Sequence, residues 1–219
     1  MTDYLIMRLC GPMQAWGLPG FEATRPSASF PTRSGLLGLL GACLGIQRSD
    51  RSALQKLADS VRFAVRCDDD HPYKTVSRVD FHTVQDARKE HGSLKSNDDT
   101  ILTWREYLYD AAFTVALWIP TTDKPGYTLE QLKLALQKPV FTPYLGRRSC
   151  PLSQPLFYAQ HQAQHAGQAL SEALPGKGVI YSETAIGGNE RRLTMRDEPL
   201  THLPRQFANR TWYAIAGEQ

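Results

Sequence analysis

The chain has 219 residues, of which 42% are hydrophobic and 21% are charged, and its formal net charge is +3 at pH 7. This composition excludes a disordered or fibrous protein and predicts a globular chain with one domain of ordinary size and a smaller one. The charge is uneven, with +4 over residues 1–67, −3 over residues 68–138 and +2 over residues 139–219. Such a distribution predicts anion binding at selected surfaces.

Four cysteines lie far apart in the sequence, without the CxxC spacing of a metal or redox site: Cys10, Cys43, Cys67 and Cys150. Three of them have apolar neighbours, which predicts buried free thiols in a reducing compartment. The chain opens with Asp3 and Arg8 around a short apolar run, which is not the pattern of a signal peptide. We therefore expect a cytoplasmic protein with no membrane association.

The first predicted elements are a strand over residues 4–10 and a long loop over residues 11–33. Gly and Pro break the strand at positions 11 and 12, and the loop carries aromatic and basic side chains with little periodicity. Long loops of this kind in compact domains are usually functional or disordered, and the aromatic residues favour an ordered loop. Its candidate residues are Gln14, Trp16, Phe21, Arg25 and Arg33.

The most distinctive segment is FPTRSGLLGLLGACLGI at residues 30–46. Thr32 or Ser34 is expected to cap a helix there, and glycines recur every three or four residues on one helical face. Glycine inside a helix costs roughly 1 kcal/mol relative to alanine, so this face predicts close approach of a sheet, another chain or a ligand. The helix N-terminus beside Arg33 suits a phosphate, and a purely structural helix start fits the same residues.

The remaining elements complete an alternation of strands and helices. They are a helix over residues 51–60, a half-exposed strand over 61–67, a projecting hairpin over 73–107 with a polar tip, a central strand over 111–119, a helix over 128–137, and strands over 178–182, 192–196 and 211–216. This order matches the β-α-β-β-α-β pattern of a ferredoxin-like sheet with insertions. We predict an α+β protein with a ferredoxin-like domain over residues 1–140 and a small C-terminal β-rich domain over residues 141–219.

Several familiar chemistries lack the residues that they need. The glycine-rich segment has no Lys-Ser/Thr pair of a P-loop, and no GxGxxG stands directly between strand and helix. His161 and His165 are four residues apart without the glutamate of a HExxH zinc site, and their surroundings predict a solvated segment. Metal-free RNA cleavage stays open through a hairpin pair such as His82 with Lys95.

Arginine and aromatic residues occur together at three places in the chain. They are Trp16 with Arg25 in the first loop, Trp104 with Arg105 at the end of the hairpin, and Tyr144 with Arg147 and Arg148 after a proline. Such groups suit single-stranded RNA, because bases stack on aromatic planes while guanidinium groups hold phosphates or base edges. The alternative is that Trp104 and Tyr144 are core residues and that the two adjacent arginines form a solvated turn.

Five collinear segments of the chain resemble the CasD family, the repeat-associated RNA-binding subunits of the type I-E CRISPR complex Cascade. The segments are GPMQAWG at 11–17, FPTRSGLLGLLGACLGI at 30–46, TWREYLYDAAFTVALW at 103–118, TPYLGRRSCPL at 142–152 and RDEPLTHLPRQFANRTWY at 196–213. The resemblance covers essentially the whole length. It implies a ferredoxin-like (RRM-like) domain with a glycine-rich helix, a protruding β-hairpin thumb within residues 73–107 and a small C-terminal β domain.

The same resemblance implies a function in antiviral defence. The chain would cap the 5′ handle of the mature CRISPR RNA, next to the backbone subunits and the large subunit of Cascade, and would meet target DNA indirectly through the complex. A separate subunit cuts the RNA in the type I-E group, which implies a non-catalytic binder without cofactor or metal. The residues that we expect to contact RNA are Gln14, Trp16, Arg25, Arg33, Ser34, Lys95, Trp104, Arg105, Tyr144, Arg147 and Arg148.

Two alternatives stay open at this point. The first is a metal-independent endoribonuclease that processes repeat RNA, because related subunits in another CRISPR subtype cut the repeat with Tyr, Lys and His side chains. The second is a structural bracket between other subunits, with incidental RNA contacts.

Overall fold

A computed structural model describes residues 1–69, 75–84, 100–121, 126–200 and 206–216. This part of the chain contains the following elements, in order: β1 (Thr2–Cys10), β2 (Met13–Gln14), β3 (Trp16–Gly17), β4 (Thr24–Arg25), β5 (Ser27–Ala28), α1 (Arg33–Leu44), α2 (Arg51–Ser60), β6 (Arg62–Cys67), β7 (Val76–Val84), β8 (Ile101–Tyr109), β9 (Ala112–Trp118), α3 (Leu129–Gln137), β10 (Phe157–Ala163), α4 (Ala166–Ala173), β11 (Ile180–Ser182), β12 (Arg191–Pro199) and β13 (Phe207–Ile215). The chain is therefore a mixed α and β protein, as its sequence predicts.

The core is a seven-stranded sheet with the strand order β10-β1-β9-β6-β11-β13-β12. Every neighbouring pair in it is antiparallel. Strand β9 is buried at all of its positions. This explains its continuous apolar sequence, since a strand covered on both faces has no solvent side to make polar.

Different helices cover the two faces of this sheet. Alternate side chains such as Leu5 of β1 and Val115 of β9 pack with buried residues of α1, α2 and α3. The intervening side chains, such as Ile6 and Ala116, pack with α4 on the other face. Because successive side chains of a strand point to opposite faces of the sheet, these strands contribute to two separate apolar layers.

Strands β7 and β8 follow β6 and precede β9 in the chain, and they pair with each other as an antiparallel hairpin. Strand β8 also pairs with β2 and β4, two short strands of the first loop. Residues 11–33 are thus an ordered loop that adds strands to the hairpin. The polar hairpin tip is expected at residues 84–100, and residues 85–99 of it, with Lys95 and His91, lie outside the described residues.

The capping residues of the helices explain where they begin. The Thr32 side chain accepts a hydrogen bond from the backbone N–H of Gly35, and α1 ends at Gly45 with a left-handed φ of 74°. Thr128 and Gln131 form a reciprocal capping box at the start of α3. The caps predicted at Thr32 and Thr128 are confirmed.

The segment around His161 and His165 corrects one prediction. It is not simply a solvated stretch, because His161 lies in β10 at the edge of the main sheet. His165 caps α4 by accepting a hydrogen bond of 3.2 Å at its Nδ1 from the backbone N–H of Gln168. An edge strand with one solvated face has a polar side chain at every second residue. The sequence of β10 shows this alternation, which is the signal that could have predicted the strand.

The C-terminal strands continue the same sheet. Strand β10 pairs with β1, and β11 pairs with β6, so the sheet crosses the expected boundary between residues 140 and 141. All four cysteines are free, and Cys10, Cys43 and Cys150 are buried, as predicted. No helix in the described part of the chain combines the length and the apolar character that a bilayer span needs.

Candidate nucleic-acid interface

Gln14 and Trp16 of the first loop are fully buried, each with 0% relative exposure. The Gln14 amide donates hydrogen bonds to the backbone carbonyls of Leu9 and Ala111, at 3.1 and 2.7 Å. Its oxygen accepts a bond of 3.1 Å from the indole N–H of Trp16. The structure uses both side chains to fix the loop between β1 and the hairpin, so it does not present them to RNA.

Arg33 is also buried, with 3% relative exposure. Its guanidinium lies 2.8 Å from the Glu183 carboxylate and 2.7 Å from that of Glu198. Burial lowers the pKa of Arg33, but the two carboxylates outweigh burial and hold its pKa above the usual value. Arg33 is therefore a permanent cation neutralised inside the protein, which corrects its expected phosphate contact.

The N-terminus of α1 is occupied by a carboxylate of the chain itself. The backbone N–H of Arg33 donates a hydrogen bond of 2.8 Å to Asp197, which also accepts one of 3.0 Å from the indole N–H of Trp212. Ser34 is half-buried beside this site, with its hydroxyl 3.4 Å from that of Thr32. A carboxylate thus satisfies the helix dipole where a phosphate was the open alternative.

Arg147 joins three separate segments at the base of the hairpin. Its guanidinium donates hydrogen bonds to the backbone carbonyl of Glu106 at 3.0 Å and to that of Arg25 at 2.9 Å. The same group lies 4.5 Å from the centre of the Tyr107 ring. This fork holds the turn around Arg147, the hairpin strand β8 and the first loop together.

Other predicted arginines collect around this fork. Arg25 of β4 is in parallel register with Arg105 of β8, and Arg25 is exposed. Arg148 and Tyr144 are exposed in the turn that carries Arg147. We name Arg25, Arg105, Arg147 and Arg148 the hairpin-base cluster. These four arginines come from three segments and Asp80 lies opposite Arg105 in the hairpin, so the region carries a net positive charge in a chain that is nearly neutral overall.

The two faces of the hairpin differ in chemistry. Arg105 and Tyr107 alternate with Trp104 and Glu106 along β8, so the arginine side and the Trp104 side are opposite faces. On the Trp104 face, the Trp104 ring lies 5.4 Å from that of Phe81, and the two side chains are 44% and 56% exposed. Exposed aromatic rings on one face and guanidinium groups on the other suit bases and phosphates, respectively.

The nuclease pair that the sequence left open stays a prediction, because the structure describes only its His82 member. His82 lies on the Arg105 face, where its ring centre is 6.1 Å from that of Tyr107 and its Nε2 has no hydrogen-bond partner. Lys95 lies outside the described residues. In the same part of the chain, no three His, Cys, Asp or Glu side chains form a group that would hold a metal ion.

Sequence reasoning missed the partners of the buried arginine. Glu183, Glu198 and Asp197 are more than 140 residues beyond Arg33, at separations that no local pattern encodes. The Arg210 side chain adds a second cation, 2.5 Å from the Glu183 carboxylate. Phe81 was missed as well, although its place opposite Trp104 follows from a hairpin register that the sequence alone does not give.

The whole chain has clear relatives. The family model for CRISPR-associated protein (Cas_Cas5) matches residues 4–213. The CRISPR system Cascade subunit CasD of Escherichia coli (strain K12) is 56% identical over 221 residues, which covers 99% of this chain and 97% of that protein. This identity confirms the resemblance on which the sequence prediction rested.

Solved structures agree with this relationship. A chain of a CRISPR RNA-guided surveillance complex is 27% identical, with a TM-score of 0.73 over 98% of this chain and 90% of that chain. The crystal structure of a Cas protein is 30% identical, with a TM-score of 0.62 over 97% of this chain and 93% of that chain. The chain therefore belongs to the CRISPR-associated protein (Cas_Cas5) family.

Proposed function

We propose that this chain is a non-catalytic, RNA-binding subunit of the CRISPR surveillance complex Cascade, and that it caps the 5′ handle of the mature CRISPR RNA for antiviral defence. Its near-full-length identity of 56% to a Cascade subunit supports membership of that complex. Its partners would be the guide RNA, the backbone subunits and the large subunit, with target DNA reached through the assembly.

The fold that we infer is a ferredoxin-like (RRM-like) core with the hairpin as a thumb. The strand order β10-β1-β9-β6, with α1 and α2 between β1 and β6 and α3 between β9 and β10, supports this inference. Residues 1–140 would supply this core except for β10, and residues 141–219 would supply β10 and the smaller C-terminal part. The insertion of β7 and β8 between two central strands fits an arm that leaves the sheet.

The hairpin-base cluster is the observation that carries the RNA-binding proposal. Arg147 fixes the geometry of three segments, and Arg25, Arg105 and Arg148 lie around it. Guanidinium forks bind phosphates in a preferred geometry, so a preorganised group of them holds a bent single strand better than mobile lysines do. The backbone of the strand would lie over this cluster, and its bases would reach the Trp104 and Phe81 rings where the strand passes round the hairpin to the opposite face.

The surroundings of His82, the best candidate for a general base, fit a non-catalytic role. His82 has no carboxylate, hydroxyl or lysine bonded to it among the described residues. Acid–base cleavage of RNA needs at least two positioned groups with complementary protonation. We expect repeat RNA incubated with the pure protein in EDTA to stay intact, and a single cut that is lost in His82→Ala would favour the endoribonuclease instead.

The deciding experiment is co-expression of the Cascade subunits and a CRISPR array, with and without this chain, followed by footprinting of the bound RNA. We expect the 5′ handle to be protected only when the chain is present. A variant with Arg105→Gln and Arg148→Gln should assemble but lose part of that protection. Full protection of the handle without this chain would overturn the proposal and favour a structural bracket.

A further inference from the structure

A second surface with the chemistry of an RNA platform lies at the far edge of the main sheet. Strands β12 and β13 pair so that Arg192 faces Tyr213 and Thr194 faces Thr211. We name one face of this pair the outer β12–β13 face. Its six residues are Arg192, Thr194, Arg196, Asn209, Thr211 and Tyr213.

Alternation along the two strands separates this face from the core. Leu193 and Met195 of β12 pack against the main core, and Trp212 of β13 is fully buried in it. The residues between them therefore point to the opposite side. Arg192, Thr194, Arg196 and Asn209 are exposed, and Thr211 and Tyr213 are partly exposed.

The outer β12–β13 face has two arginines and no acidic residue. The carboxylates of the same region, Asp197, Glu198 and Glu183, lie on the inner side, where they bind Arg33 and Arg210. Among the described residues, the charges on the inner side are therefore paired, whereas Arg192 and Arg196 on the outer side form no ion pair. A solvated sheet face usually mixes both signs, so this segregation points to an anionic partner.

Two contacts hold the arginines over the sheet. The Arg192 guanidinium lies 5.8 Å from the centre of the Tyr213 ring. The Arg196 Nε donates a hydrogen bond of 2.9 Å to the backbone carbonyl of Phe207, so its Nη edge is not used in that bond. The two residues are four apart on one strand, about 13 Å, so they reach different phosphates of one strand.

We propose that the outer β12–β13 face binds single-stranded RNA. Arg192 and Arg196 hold phosphates, the Tyr213 ring takes a base, and the threonine hydroxyls and the Asn209 amide hydrogen-bond to 2′-hydroxyl groups. A base that stacks on the Tyr213 ring has to be free of a helical stack, which favours a single strand over an RNA duplex. This site goes beyond the proposed function, because it is separate from the hairpin-base cluster. Strand β12 is an edge strand of the main sheet, whereas the hairpin strands belong to a different sheet.

The test is fluorescence anisotropy of the full-length chain with a labelled single-stranded RNA and a DNA of the same sequence, over a range of salt concentrations. The test variant carries Arg192→Gln and Arg196→Gln. Its matched control carries Arg191→Gln and Lys177→Gln, which remove the same charge from exposed residues that are not on this face. Thermal unfolding of each variant checks that the fold is retained.

We expect the test variant to flatten the slope of log affinity against log salt by roughly 1.4, because each lost single-strand phosphate contact contributes about 0.7. Tyr213→Ala should weaken RNA binding roughly 5- to 150-fold through lost stacking. The control should match the wild type, and RNA should bind more tightly than DNA.

An unchanged slope in the test variant, or equal binding of DNA and RNA, would overturn this inference. A separate variant, Arg105→Gln with Arg148→Gln, reports on the hairpin-base cluster alone. If only that variant loses RNA affinity, the outer β12–β13 face is an ordinary solvated surface and the proposed function stands. If neither variant changes binding, both proposals fail.

Discussion

The backbone N–H of Arg33 donates a hydrogen bond of 2.8 Å to the carboxylate of Asp197, which lies 164 residues later in the chain. This bond ties the start of the glycine-rich helix to the last strand pair of the sheet. It also places an internal anion at a helix N-terminus, where the dipole and the free N–H groups attract negative charge. The chain fills this helix N-terminus with its own carboxylate, so the phosphate contacts that we propose lie elsewhere.

Asp197→Ala should lower the free energy of unfolding by about 2 to 4 kcal/mol. The change leaves two buried donors without an acceptor, the Arg33 N–H and the Trp212 indole N–H. Urea unfolding followed by tryptophan fluorescence measures the loss. Asp59→Ala is the control, because Asp59 is exposed and should change stability by less than about 0.5 kcal/mol. Equal effects of the two substitutions would contradict this account of Asp197.

Local patterns predicted the elements well where the physics is local. The cap at Thr32, the capping box at Thr128 and the continuous apolar run of β9 each depend on a few neighbouring residues. Arg33 shows where such reasoning ends. Its sequence neighbours predicted a phosphate contact for Arg33. In the structure its guanidinium instead pairs with Glu183 and Glu198, which only the folded sheet brings near.

The tryptophans give the same lesson for the candidate site. Trp16 and Trp104 both stand near an arginine in the sequence, and both fit base stacking equally well. The structure buries Trp16 completely and leaves Trp104 44% exposed. Hairpin register and sheet pairing decide the difference, and a shift of one residue in β8 would exchange its two faces.

Two glycines of α1 should respond in opposite directions to alanine. A Cβ at Gly35 would lie 2.7 Å from the Trp16 ring, so Gly35→Ala should destabilise the fold by about 1 to 3 kcal/mol through overpacking. A Cβ at Gly38 would meet no atom within 4 Å, so Gly38→Ala should stabilise the helix by about 0.5 to 1 kcal/mol. Urea unfolding of the two variants tests this, and each serves as the control for the other. The same sign for both would contradict the contact between Gly35 and Trp16.

The free energy of unfolding should decrease as the pH rises into the alkaline range, in part because of Cys43. Burial raises the pKa of its thiol from 9.0 to about 12. The unfolded chain loses this proton above pH 9 while the folded chain keeps it, so the contribution is complete below pH 9 and is lost as the pH rises toward 12. Its slope is at most roughly 1.4 kcal/mol per pH unit.

Urea unfolding in reducing buffer from pH 8 to pH 10.5 measures this slope. Cys43→Ala should remove that share of the pH dependence while also lowering stability at every pH. Leu39→Ala is the matched control, since it opens a cavity in the same helix without removing a titrating group. Parallel pH curves for the wild type and Cys43→Ala would show that the thiol does not contribute.

Arg147 and Arg148 form an adjacent pair with different expected roles. Arg147 donates to the carbonyls of Glu106 and Arg25 and stacks on Tyr107, whereas Arg148 is exposed in the same turn. Arg147→Lys keeps the charge but loses the planar fork, so it should lower the free energy of unfolding by about 1 to 3 kcal/mol. Arg148→Lys should leave stability unchanged.

RNA binding separates the two residues further. Arg148→Gln should flatten the salt dependence of RNA binding by about 0.7 without affecting stability, because it removes one phosphate contact. Arg147→Lys should weaken RNA binding with a salt slope close to that of the wild type, because the charge remains while the three segments lose their alignment. Anisotropy over a salt series, with urea unfolding of the same samples, distinguishes a lost contact from lost positioning. Unchanged RNA affinity and unchanged stability in Arg147→Lys would mean that the fork does not organise the hairpin-base cluster, since only the shape of its cation would have changed.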